Sequence, residues 1–152
     1  MKHSAAAAYI RQICALGLGG KAIMPELFRA FHDVIPSHLN VFFWADRAGE
    51  LADIYSEYPK FLELGALFIS EFVNGRDGIP SFAECMRTRF TTEANETVFP
   101  EGFFRSDYYN LVFCRQGIHL PLQAAVRDRG GRALGGMLVY RPRAIVVSHQ
   151  RR

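Results

Sequence analysis

The stretch Asn40–Tyr55 constrains the fold more than any other part of the chain, because two strand-like runs flank the turn Asp46-Arg-Ala-Gly49. In an extended strand successive side chains point to opposite faces. Phe42 and Trp44 therefore share one face of the first run, and Phe43 takes the other. In the second run Leu51, Asp53 and Tyr55 alternate with Ala52, Ile54 and Ser56, which reads as the partner strand of a hairpin that Pro59 ends. A hairpin this aromatic on both faces needs a cover or a ligand.

Helical covers are available before and after it. Ala6, Tyr9, Ile10, Ile13 and Leu16 recur at helical spacing over residues 5–16, and Gly17, Gly19 and Gly20 end that run. A second helix is expected to begin near Pro25, carry Leu27, Phe28, Phe31 and Ile35 inward, and stop at Pro36. Phe61, Leu64, Phe68 and Phe72 form the stripe of a further helix over residues 60–73, and Phe28, Phe31, Phe61 and Phe68 are assigned to the core. Ser81 with Glu84 has the spacing of a capping box before a short helix ending near Met86. Residues 87–103 read as irregular, and 106–114 as a short helix capped by Ser106 or Asp107. The strands 119–127 and 132–140 close a second hairpin around Asp128-Arg-Gly-Gly131, with Pro121 arguing for an edge position or a bulge. Two hairpins with helices before and between them predict an α+β domain, an antiparallel sheet covered by helices.

At 152 residues and 49% apolar content the chain is expected to form one domain. A net charge of +3 with scattered arginines gives too weak a field for nucleic acid to be its partner. The arginines at 141, 143, 151 and 152 read as a solvated tail. Cys14, Cys85 and Cys114 are far apart and odd in number, which predicts buried, reduced thiols in a cytoplasmic protein. No apolar stretch has membrane-spanning length, so no membrane partner is expected.

Catalytic and metal signals are weak. No CxxC, HxxxH or HExxH pair occurs, His32-Asp33 reads as an ordinary helix face, and Gly17-Leu-Gly-Gly20 follows a helix instead of a strand. Cys114 beside Arg115 is the best nucleophile on sequence grounds and still reads as a buried thiol. No enzyme activity, metal or cofactor is expected. Ligand binding fits better: Phe42, Trp44, Tyr55, Tyr108, Tyr109, Asn110 and His119 could line one apolar hollow with a few polar groups. The competing assignment makes these rings plain core.

The run Tyr9–Gly20, the aromatic strand through Trp44, the segment Phe104-Arg-Ser-Asp-Tyr-Tyr-Asn110 and the closing Gly135-Gly-Met-Leu-Val-Tyr-Arg-Pro142 together resemble the N-terminal GAF-like sensor region of bacterial regulators with a LuxR-type helix-turn-helix output domain. That resemblance covers residues 9–142 and implies a PAS- or GAF-like fold, a homodimer, and the passing of a small-molecule or partner signal to a DNA-reading part. It makes 1–142 the sensor domain and 143–152 a tail that departs from the family pattern, as in a sensor truncated before its output domain. The alternative is a dimerisation or protein-interaction scaffold that binds nothing small.

Overall fold

The computed structural model describes residues 3–59, 62, 70, 73–75, 80–87, 92–94, 101–107, 109–116 and 121–140. The expected helix over 60–73 and the tail 143–152 lie almost wholly outside these residues. The chain begins with two helices, α1 (His3–Ala15) and α2 (Gly20–His32), followed by the strands β1 (Leu39–Ala45) and β2 (Leu51–Ser56). A short helix α3 (Phe82–Arg87), the strand β3 (Thr92–Ala94), a run of tight helical turns through residues 101–105 and 109–116, and the strands β4 (Pro121–Arg127) and β5 (Ala133–Tyr140) complete it. The five strands form one antiparallel sheet in the order β2-β1-β5-β4-β3.

The α+β class and both hairpins stand as expected. Asp46 builds the first turn: its Oδ1 accepts the N–H groups of Ala48 and Glu50 at 2.8 and 2.9 Å, and Gly49 takes φ +86°. Asp128 does the same in the second, accepting from Gly130 and Arg132 at 2.9 and 3.0 Å, with Gly131 at φ +84°. Short acidic side chains that cap their own turn backbone make such positions readable from sequence. The capping box is also present, with Ser81 N–H donating to Glu84 Oε2 at 2.7 Å and Glu84 N–H to Ser81 Oγ at 3.2 Å.

Several expectations are corrected. α2 starts at Gly20, so Pro25 lies inside the helix, where it forfeits one hydrogen bond to the exposed Lys21 carbonyl. The early start is explained by Met24, which the additional turn buries beside Leu27 and Phe28. Residues 92–94, expected to be irregular, pair with β4 from Thr92↔Ala124 to Ala94↔Leu122. This places β4 inside the sheet, and Pro121 is accommodated as its first residue instead of at an edge. Alternation along β2 breaks because Asp53 pairs with Trp44 while Leu51 pairs with Ala45, leaving Ala52 as an extra residue and turning Leu51 to the face opposite Tyr55. The short helix at 106–114 is a wide π-type turn, Tyr109–Phe113, with Tyr109 N–H donating to Ser106 Oγ at 3.1 Å.

The core lies on both sides of the sheet. On one face α2 sets Met24, Leu27 and Phe28 against Met137 and Val139, with Phe42, Trp44, Tyr55 and Leu122 packed around them. The other face joins Val41, Phe43, Leu138 and Tyr140 to Phe82, Met86, Phe103, Tyr109 and Phe113. β1 and β5 run side by side from Leu39↔Tyr140 to Trp44↔Gly135, so the two hairpins meet at the sheet's centre.

Candidate functional site

Seven residues were candidates for one hollow, and the sheet separates those that are described. Phe42, Trp44 and Tyr55 lie together on the α2 face, as their alternation requires. Phe42 and Trp44 meet edge to face with ring centroids 4.8 Å apart, and Tyr55 meets Phe28 at 5.5 Å. Tyr109 is buried on the opposite face, 5.5 Å from Phe103 and 5.2 Å from Phe104, and stacked on Phe113 at 6.3 Å. Asn110 is exposed. Tyr108 and His119 lie outside the described residues. The expected meeting of Trp44 with Tyr109 therefore does not occur: a sheet lies between them. Sequence order could not reveal this, because the side of the sheet taken by a turn element depends on the path of the chain leading to it.

Between α3 and the sheet there is a cavity of about 10 Å³, bordered by Phe43, Phe82, Cys85, Met86, Gln123 and Gly136. That is about the room needed for one water molecule. The Met86 side chain reaches over Gly136, its Cε 3.3 Å from where a Cβ there would lie. Cys85 is buried, whereas Cys14 and Cys114 are exposed, against the expectation of three buried thiols. Tyr109 and Phe113 take the inward side of their turn, and Cys114 follows on the outward side.

The polar part of the α2 face lies at the far end of the helix from Trp44's neighbour Gly20. Glu57 extends the β1–β2 ladder by one step: its N–H donates to Asn40 O at 3.3 Å and its Oε2 accepts Asn40 N–H at 2.7 Å. The same carboxylate lies 2.9 Å from His32 Nε2, and His32 Nδ1 lies 2.8 Å from Ser37 Oγ. Asn40 is fully buried. Burial first, and the Glu57 charge second, push the Tyr55 hydroxyl pKa above its ordinary value. Sequence reasoning missed this group because its members, Ser37, His32, Asn40 and Glu57, carry no motif spacing and are joined only when α2 closes over the β1–β2 end.

At the other end of α2, Lys21 pairs with Asp53 at 2.5 Å on an exposed surface, where ion pairs contribute little. Tyr9 on α1 donates to Glu26 on α2 at 3.1 Å, and Arg29 holds the same carboxylate, which keeps the Glu26 pKa below the usual carboxylate range. Leu16 and Leu18, at the turn between these helices, are 61% and 56% exposed. Among the described residues no helix is long and apolar enough to cross a membrane, and no cluster of three or more His, Cys, Asp or Glu side chains could hold a metal ion. No protein-family model matches the sequence, and no curated protein matches it.

Proposed function

We propose that this domain is a regulatory module of PAS or GAF type from a bacterial transcription regulator, and that it acts by associating with a second copy of itself. The observation that carries this reading is the filling of the α2 face by Phe42, Trp44 and Tyr55 beneath the helix, with Tyr109 across the sheet, while Leu16 and Leu18 stay exposed at the α1–α2 turn. Rings packed under a helix serve as core, and apolar side chains left in water at a helical turn favour a partner surface. The sheet order β2-β1-β5-β4-β3 is compatible with a PAS- or GAF-type fold. A second copy laid hairpin to hairpin would cover both leucines and the exposed Cys14.

Sedimentation velocity over a concentration series tests the proposal. A dimer that Leu16→Ser with Leu18→Ser converts to monomer supports it, and a monomer at high micromolar concentration overturns it. The small-molecule receptor reading retains one feature in its favour, the half-buried Trp44 and Tyr55 on the face that also carries His32 and Glu57. A metabolite that shifted the emission of Trp44, the chain's single tryptophan, and raised the melting temperature would restore it.

A further inference from the structure

Association through the helical hairpin leaves the polar group at the end of α2 unused, and its order of contacts is chemically specific. Glu57 Oε1 and Oε2 lie 2.9 and 3.1 Å from His32 Nε2. A carboxylate accepts hydrogen bonds, so Nε2 bears a proton, and in the neutral ring Nδ1 keeps a lone pair. Ser37 Oγ, 2.8 Å from Nδ1, is then the donor in that contact. Glu57 is itself anchored by the Asn40 backbone N–H at 2.7 Å. The result is a hydroxyl aimed at a base, a base held in one tautomer by an acid, and an acid fixed by the sheet, which is the arrangement that activates a serine.

Asn40 supplies a second, independent observation. It is fully buried, its side-chain amide lies 3.4 Å from His32 Nε2, and the other end of that amide has no hydrogen-bond partner. Buried amides are rarely left unsatisfied, and one that is calls for an explanation, a catalytic role or a bound water among them. The group can also be reached from solvent: Pro36 and His38 are exposed, Ser37 is half-buried, and the His32 side chain keeps 36% of its surface open.

We propose that Ser37 is an acyl-accepting nucleophile, with His32 as its general base and Glu57 as the residue that positions the base. Ser37 Oγ forms a bond to the carbonyl carbon of an acyl donor as its proton passes to His32 Nδ1. The bond from that carbon to the leaving group breaks, and the leaving oxygen or sulfur takes the proton from Nδ1. Water then attacks the acyl-serine, giving a proton to Nδ1; the carbon–Oγ bond breaks, and Oγ recovers the proton. The neighbouring His38 N–H is spent on Tyr140 O at 2.8 Å, so the donor must bring its own activation. Small aryl esters and acyl thioesters have leaving groups of that kind.

The test is incubation of the full chain with p-nitrophenyl acetate, followed by intact mass measurement and peptide mapping. One acetyl group on Ser37 is expected, absent in Ser37→Ala and formed at least about 100-fold more slowly in His32→Gln, the usual size of a general-base contribution. An unmodified Ser37 with p-nitrophenolate released no faster than by Ser37→Ala, or equal acetylation of the wild type and Ser37→Ala at amines such as Lys21, overturns the proposal. Should His32→Gln fail to fold, Ser37→Ala decides alone, since it removes one hydroxyl from a half-exposed position. For the positioning residue, nitrogen NMR of the His32 ring in Glu57→Gln should show the Nε2–H tautomer lost together with slower acylation. An unchanged tautomer and rate would remove Glu57 from the role.

Discussion

Gly135 and Gly136 sit side by side in β5, yet a methyl group should be tolerated at only one of them. A Cβ on Gly135 would stand 2.1 Å from the Phe43 carbonyl oxygen and 3.0 Å from the Phe42 ring, so the backbone of β1 itself would have to move. On Gly136 the nearest atom is Met86 Cε at 3.3 Å, the end of a flexible side chain that can turn aside. Urea denaturation should show Gly135→Ala losing about 1–3 kcal/mol or more, the ordinary cost of overpacking, with Gly136→Ala close to neutral. Equal losses would mean that β5 does not approach β1 as described. At this scale the sequence was informative where one residue acts on its own backbone, as Asp46, Asp128 and Ser81 do. It was silent where residues meet only after folding, as His32 and Glu57 do across 25 positions.

Among the described elements, α2 seals one face of the sheet. Phe28 is fully buried and contacts both Phe31 and Tyr55, with centroids 6.4 and 5.5 Å apart. Phe28→Ala should therefore cost about 3–5 kcal/mol in chemical denaturation. Trp44 lies beside Gly20 at the start of the same helix, its Nε1 3.2 Å from where a Cβ would sit, so a lifted helix should also move its emission to longer wavelength. A loss under about 1 kcal/mol, below the range for a buried aromatic, would show that the helix is only loosely docked. Hydrophobic period told the first two helices and the strands of both hairpins apart, because burial of one face is what each element is built for. Starts and interruptions were harder to read: Pro25 reads as a first-turn residue, but the burial of Met24 recruits an earlier turn. β3 was invisible, since three residues are too few to display a period and its pairing with β4 is set from outside the segment.

For the molecule as a whole, alkaline pH should weaken folding through Tyr140. Its hydroxyl is wholly buried, and desolvation raises its pKa well above the ordinary tyrosine value. A folded-state pKa above the unfolded one means that stability is fully present below the unfolded value, about 10, and is lost as pH rises from there towards the folded value. Tyr55 is shifted in the same direction, first by burial and then by the Glu57 charge, and should add a smaller share. Urea midpoints measured on either side of pH ~10 should fall for the wild type and fall less for Tyr140→Phe. Identical profiles would place the Tyr140 hydroxyl in water. The α+β architecture could be argued from two hairpins and their covers, but the strand order could not, since nothing local tells β1 that its second neighbour is β5.

That central pairing also governs how the protein can be made. On a ribosome β1 emerges beside β2 and then waits while everything between β2 and β5 is made before Tyr140 is available to cover its other side. During that interval the backbone donors and acceptors along one side of Leu39–Trp44 have no strand to bond, next to rings that want to leave water. Nascent chains halted short of β5 should be sticky and protease-sensitive, and protection should arrive abruptly with that strand instead of growing with length.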